Sequence, residues 1–304
     1  MTQTIRKIFF CLTTLILTVQ FIFAQASGSE WQQVSPTRYR LSLDGKWTAS
    51  PDSSAEAVSV SLPGFFAGES RVHLVRDFEV PDSLSHHVFR LHADGINHAS
   101  TISLNDGFVA GHQGGYTAFS VELNQPGLRI GDRNRLKIQL EHDLQPETTL
   151  PGKHRPLGWV EAPGILRPMY VEATPTLFVD EIYARTRLEG SPGTATLDVT
   201  ALTRISREAP DSIRQSLGLT VQATLRELAT ERIVARSESR PLNLLRAASV
   251  EEQFQFELSR SKLWHPDSPN HFEVIIEVRD QTRVVDVATM SVGARTLSFG
   301  KQGF

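Results

Sequence analysis

The chain has 304 residues, 40% of them hydrophobic, which is enough for two cores at about 150 residues per domain. Its net charge is −3 with the two signs interspersed; without a basic surplus to neutralise phosphates, a nucleic-acid partner is not expected. Cys11 is the only cysteine, so no internal disulfide framework is possible.

The first 26 residues read as an export signal. Arg6 and Lys7 precede a largely apolar run over 8–23, and Ala24-Gln25-Ala26 has the small-x-small pattern of a signal-peptidase site. Cleavage is expected before Ser27, with Ala24 as the alternative last residue. An uncleaved anchor is the competing reading; the run is shorter than the ~20 residues of a membrane span and contains Thr13, Thr14, Thr18 and Gln20. The mature protein then has no cysteine, no membrane contact, and a periplasmic or secreted location.

Short strands and turns follow. Residues 88–93 alternate in part, and 99–104 is a strand candidate leading into Asn105-Asp106-Gly107 and Phe108. Asp-Gly between two such runs predicts a hairpin with a type I′ turn, which needs positive φ at both central positions. Residues 135–140 alternate with period 2, one face buried and one wet. The stretch 141–161 has Pro146, Pro151, Pro156, Gly152 and Gly158 with little periodicity; a loop this long inside a domain is usually functional or mobile. Thr174-Pro175-Thr176 is the expected inter-domain seam. Beyond it, strands are predicted at 181–188, 195–202, 217–225, 232–235, 252–258, 272–278 and 283–291, an immunoglobulin-like count. The polar segment 204–215, with Pro210, is expected to be a loop. The fold class is all-β: a jelly-roll sandwich over 30–175, then an immunoglobulin-like sandwich over 176–299.

Several motifs carry a family resemblance by their order and spacing. They are Leu43-Asp44-Gly45-Lys46-Trp47, Arg76-Asp77-Phe78-Glu79-Val80-Pro81, Leu104-Asn105-Asp106-Gly107, Gly114-Gly115-Tyr116-Thr117-Ala118-Phe119, Pro163-Gly164-Ile165-Leu166-Arg167 and Leu263-Trp264-His265-Pro266. Together they resemble the sugar-binding and immunoglobulin-like domains of family 2 glycoside hydrolases, the family of β-galactosidases, β-glucuronidases and β-mannosidases, over roughly 38–299. The resemblance implies a (β/α)8 barrel beginning near 300–304, with two catalytic glutamates about 5–5.5 Å apart and retention of configuration. Neither glutamate is assigned here, so no catalytic residue is named and the chain alone is expected to be inactive. Without a barrel, exposed surfaces on both sandwiches predict self-association.

The family's sugar-facing acid in the loop before Gly-Ile corresponds to Gly158, which has no carboxylate. Trp159 beside it, with His154 and Arg155, is the candidate carbohydrate contact: an indole face stacks on a pyranose and the two basic residues donate hydrogen bonds. The competing role for Trp159 is to plug an interface. Glu161, Glu172 and Glu181 are carboxylates with no recognisable partner. The ten histidines have no metal-ligand spacing, so no metal and no cofactor is expected. Trp47 and Trp264 are expected in the cores and Trp31 to be disordered, while Phe65-Phe66 form either an exposed tip or an edge cover. The partners implied are a β-linked glycan and a catalytic barrel in cis or in trans. A free-standing carbohydrate-binding or accessory protein is the alternative.

Overall fold

The computed structural model describes residues 30–52, 56–124, 127–141, 162–188, 193–244 and 247–297. It is nearly all β, as expected. Its first part contains β1 (Gln32–Ser35), β2 (Arg38–Ser42), β3 (Gly45–Pro51), β4 (Val58–Leu62), β5 (Gly64–Phe65), β6 (Arg71–Glu79), β7 (Val88–Ala93), β8 (Ile96–Asn97), β9 (Ala99–Leu104), β10 (Gly107–Gln113), β11 (Phe119–Glu122), β12 (Arg133–Glu141), β13 (Gly164–Ile165) and β14 (Met169–Thr174). A five-stranded sheet, β1-β2-β14-β7-β11, and a six-stranded sheet, β10-β9-β12-β6-β3-β4, enclose one core. Alternation fixes which residues enter it. On β12, Leu136, Ile138 and Leu140 are buried, and across the ladder Ile138 faces Leu74 and Ile102.

The second part contains β15 (Leu177–Arg187), β16 (Thr194–Ile205), a single helical turn α1 (Asp211–Arg214), β17 (Leu219–Glu227), β18 (Ile233–Arg236), β19 (Arg240–Pro241), β20 (Ser249–Ser259), β21 (Phe272–Asp280) and β22 (Arg283–Val292). Sheet β15-β16-β20 and sheet β18-β17-β21-β22, with β19 on β17, share a second core that includes Leu197, Val199, Phe254, Phe256, Val274 and Ile276. Two sandwiches in succession are therefore present.

Several details differ from the sequence reading. The hairpin turn sits one residue earlier: Asn105 (φ 49°) and Asp106 (φ 70°) are its central residues, and Gly107 already pairs with Leu104. Asn and Asp both tolerate the left-handed region, so Asn-Asp replaces Asp-Gly in the same turn type. The segment read as a loop over 204–215 begins as strand to Ile205 and contains α1, whose Ile213 is buried. Trp31 is ordered: its Nε1 donates to the Glu79 carbonyl at 2.8 Å and its ring meets Phe89 edge-on. Trp47 is core, with Nε1 satisfied by the Leu43 carbonyl. Trp264 is only half-buried, lying against Gly293 with the Arg295 guanidinium over its ring. The Phe65-Phe66 pair divides, Phe65 being 62% exposed and Phe66 packing on the core.

Candidate functional site

Trp159, His154 and Arg155, with Gly158 and Glu161, lie outside the described residues. The residues that bracket their segment are described, and they form a tightly built end of the first sandwich. Glu141 closes β12, and Ala162 leads into a small sheet, β5-β13-β8, in which Gly164 pairs with both Phe65 and Asn97. Backbones approach so closely here that a Cβ on Gly164 would lie 2.6 Å from the Gly64 carbonyl oxygen and 2.8 Å from the Cα of Phe65. Only glycine fits, which gives the Pro-Gly-Ile motif its physical reason.

Asn97 anchors the same end. It is buried, and its Nδ2 donates to the Ala162 carbonyl at 2.8 Å. The Asn97 Oδ1 occupies the space a Cβ on Gly115 would need, at 2.6 Å, so the second glycine of Gly-Gly-Tyr is required too. The Gly114 N–H donates to the His98 carbonyl, the Phe66 N–H to Pro163 and the Leu166 N–H to Gly95. Arg167 packs its alkyl chain over Gly95 and donates Nη1 to the Tyr116 carbonyl at 3.4 Å. On this frame Phe65 and Tyr116 are displayed, 62% and 57% exposed. An exposed aromatic ring on a rigid support can stack on an apolar ligand face.

The junction of the two sandwiches is built differently. Glu172 on β14 faces away from the first core, where the second sandwich covers it. It accepts from Arg40 Nε at 2.9 Å and from Arg38 and Arg90 at 3.4 Å each. Asp286 on β22 is fully buried and accepts from Thr37 Oγ1 (2.9 Å), Arg38 Nε (3.0 Å), Arg38 Nη2 (2.5 Å) and the Val179 N–H (2.8 Å). Arg90 pairs with Asp180 and lies over the Phe178 ring. Burial works against ionisation of Glu172, but Arg38, Arg40, His92 and Arg90 outweigh it and hold its pKa below the usual range. Burial similarly opposes the charge on Arg38, and Asp286, with Glu172 and Asp180, keeps its pKa above normal. His92, stacked on Tyr170 at 4.8 Å, is pushed down to about 4 by burial, against the attraction of Glu172. Glu172 was read as a carboxylate without partners; it is the centre of an ion network and unavailable for acid–base work. Glu181 accepts a hydrogen bond from the Tyr183 hydroxyl at 2.7 Å. Among the described residues, no group of three His, Cys, Asp or Glu side chains could hold a metal ion.

Comparison with known proteins follows the same outline. Residues 177–295 match the model of the family described as Glycosyl hydrolases family 2. That match covers the second sandwich. A Formosa agariphila protein with a provisional β-glucuronidase name is 24% identical over 209 residues, covering 68% of this chain and 17% of its own length. A β-galactosidase of Thermoanaerobacter pseudethanolicus is 20% identical over 229 residues, 75% of this chain and 28% of its own. The chain thus spans under a third of these relatives. The solved structure of a β-D-glucuronidase of Dictyoglomus thermophilum superposes with a TM-score of 0.68 at 20% identity, over 88% of this chain and 46% of that one. A Ruminococcus gnavus β-glucuronidase does so at 0.70 and 18%, over 89% and 47%. At such identities the structural likeness shows a shared fold, and it extends through both sandwiches.

The match begins at Leu177, the first residue of β15 and one residue past the Thr174-Pro175-Thr176 segment. The grip of the second sandwich on the first was invisible in sequence because the partners are far apart along the chain, 248 residues for Arg38 and Asp286 and 90 for Arg90 and Asp180. One signal was available: Glu172 interrupts the strand-like run Met169-Tyr170-Val171 to Ala173, and a carboxylate inside such a run needs a cation once its outer face is covered.

Proposed function

We propose that this chain is the non-catalytic portion of an exported family 2 glycosidase, working with a (β/α)8 barrel supplied in cis or in trans to hydrolyse β-glycosides. The observation that carries the reading is the family 2 match over 177–295 joined to a fold likeness that runs through both sandwiches. Export is supported by Arg6-Lys7, the apolar run that follows and Ala24-Gln25-Ala26. In this reading the first sandwich is the sugar-binding jelly roll. The end that displays Phe65 and Tyr116 faces the glycan, and His154, Arg155 and Trp159 are further candidate contacts. Acid–base and nucleophilic chemistry belong to the barrel.

The test is turnover of aryl β-galactoside, β-glucuronide and β-mannoside. The isolated chain is expected to hydrolyse none of them, and the native assembly from its host to hydrolyse at least one. Turnover by the isolated chain, or none by the native assembly, contradicts the reading. A free-standing carbohydrate-binding protein is the second reading, favoured by the exposed aromatics at the loop-bearing end. It requires sugar binding by the chain without any barrel partner.

A further inference from the structure

An open cleft of about 440 Å3 lies where the two sandwiches and their connection meet. Its size is within the ~300–1,000 Å3 range of small-molecule sites, which concentrate at domain interfaces. One wall is the turn Ser85-His86-His87, which leads into β7 of the first sandwich. The other belongs to the second sandwich and includes Glu208, Ile213 of α1 and the first residues of β22. Pro175 of the connection, with Pro210, Ile213 and Val284, gives the cleft an aliphatic lining. Its hydrogen-bonding groups are open to solvent, since Ser85, His86, Glu208 and Arg283 are all exposed. Asn124 ties the two walls together: its Nδ2 donates to Glu208 Oε2 at 3.0 Å and to the His87 carbonyl at 3.3 Å. Arg283 is less committed. Among the described residues its one ion pair, to Asp280, is 3.9 Å long, beyond hydrogen-bond distance, and its side chain is 68% exposed. A carboxylate and a guanidinium thus line one cleft without pairing with each other.

We propose that this seam cleft binds one neutral sugar ring. Ser85 and His86 of the first sandwich and Glu208 and Arg283 of the second meet its hydroxyls, and the aliphatic lining takes its C–H face. A guanidinium only donates and an ionised carboxylate only accepts, so a ligand whose groups each donate and accept satisfies both at once. The formal charges of the lining cancel, one Arg against one Glu, so the acid group of a uronate has no net attraction to offset the loss of its water. Because the two walls belong to different sandwiches, a sugar that touches both favours their docked arrangement. The inference rests on the carbohydrate-active reading above and gives it a sugar subsite separate from Phe65 and Tyr116.

The experiment is a 15N NMR titration of the full chain with methyl β-galactoside, methyl β-mannoside and methyl β-glucuronide at millimolar concentration, and with leucine as a zwitterion of similar size. The expected result is that at least one neutral glycoside shifts amides on both walls, 85–87 and 283–285, and binds more tightly than the glucuronide or leucine. Arg283→Ala should weaken that binding roughly tenfold and His86→Ala about threefold. Both side chains are exposed, so both variants should fold with unchanged Tm. Shifts on one wall alone, shifts confined to Gly115, Tyr116 and Arg167, tighter binding of the glucuronide or of leucine, or affinity unchanged in both variants would overturn the proposal. So would silence towards every sugar. The two readings fail separately: a native assembly that hydrolyses β-glycosides with a silent cleft sinks only the subsite, and cleft binding without native turnover sinks only the glycosidase.

Discussion

The two ends of the first sandwich solve opposite problems. Where it meets the second sandwich, buried charges are matched one against another, with Asp286 taking four hydrogen bonds and Glu172 contacted by three arginines. At the loop-bearing end there is almost no charge in the packing. Backbone meets backbone through Gly164 and Gly115, and aromatic rings are displayed. A junction of paired buried ions is specific, because each ion tolerates only its partner's geometry, but it is not a reserve of stability. A junction of close-packed glycines holds a surface still without filling it. The first arrangement suits a fixed orientation between domains and the second suits a platform that touches something else.

The contrast can be broken most severely at Asp286. Asp286→Ala leaves Arg38 buried without its main partner, and urea denaturation should show a loss of about 3–5 kcal/mol. A change below that range would mean the junction is wet. The pH dependence follows next. The pKa of His92 is about 4 in the fold against an ordinary 6.5, so the unfolded chain takes up a proton that the folded chain refuses. Stability should fall as pH drops from 6.5 to 4, by up to roughly 3 kcal/mol. Glu172 has a depressed pKa, so its contribution is present above the ordinary carboxylate range and is lost as pH falls through its folded value. Chemical denaturation across this range should show the slope, and His92→Phe, which keeps a ring on Tyr170, should flatten its upper part.

At the other end, Gly164→Ala forces a methyl group into backbone atoms and should cost about 1–3 kcal/mol. Hydrogen exchange should place the damage at β5, β8 and β13, with the domain junction unchanged. The smallest effect is expected on the solvated face. Arg135 and Asp77 pair at 2.9 Å with 56% and 29% of their side chains exposed, so Asp77→Ala should shift the urea midpoint by less than ~1 kcal/mol equivalent.

Strand positions were legible because their signal is local. Leu136, Ile138 and Leu140 alternate with polar residues, and that alone sets which face of β12 is buried. The glycine motifs were legible as motifs but not as geometry, since Gly115 is required by Asn97, 18 positions earlier, and Gly164 by Gly64, 100 positions earlier. The ion network was not legible: Arg40, Glu172 and Arg90 meet through the register of distant strands β2, β14 and β7, and Asp180 and Asp286 join only when the second sandwich docks.

The central claim, that this chain acts as part of a family 2 glycosidase, is tested most directly by the mass of the native protein recovered from its host with an antibody against the first sandwich. The account predicts an assembly heavier than this chain's 33.8 kDa by a barrel of about 250 residues, on the same polypeptide or a tightly bound one. A native species no larger than the chain itself, with no bound barrel, would contradict it.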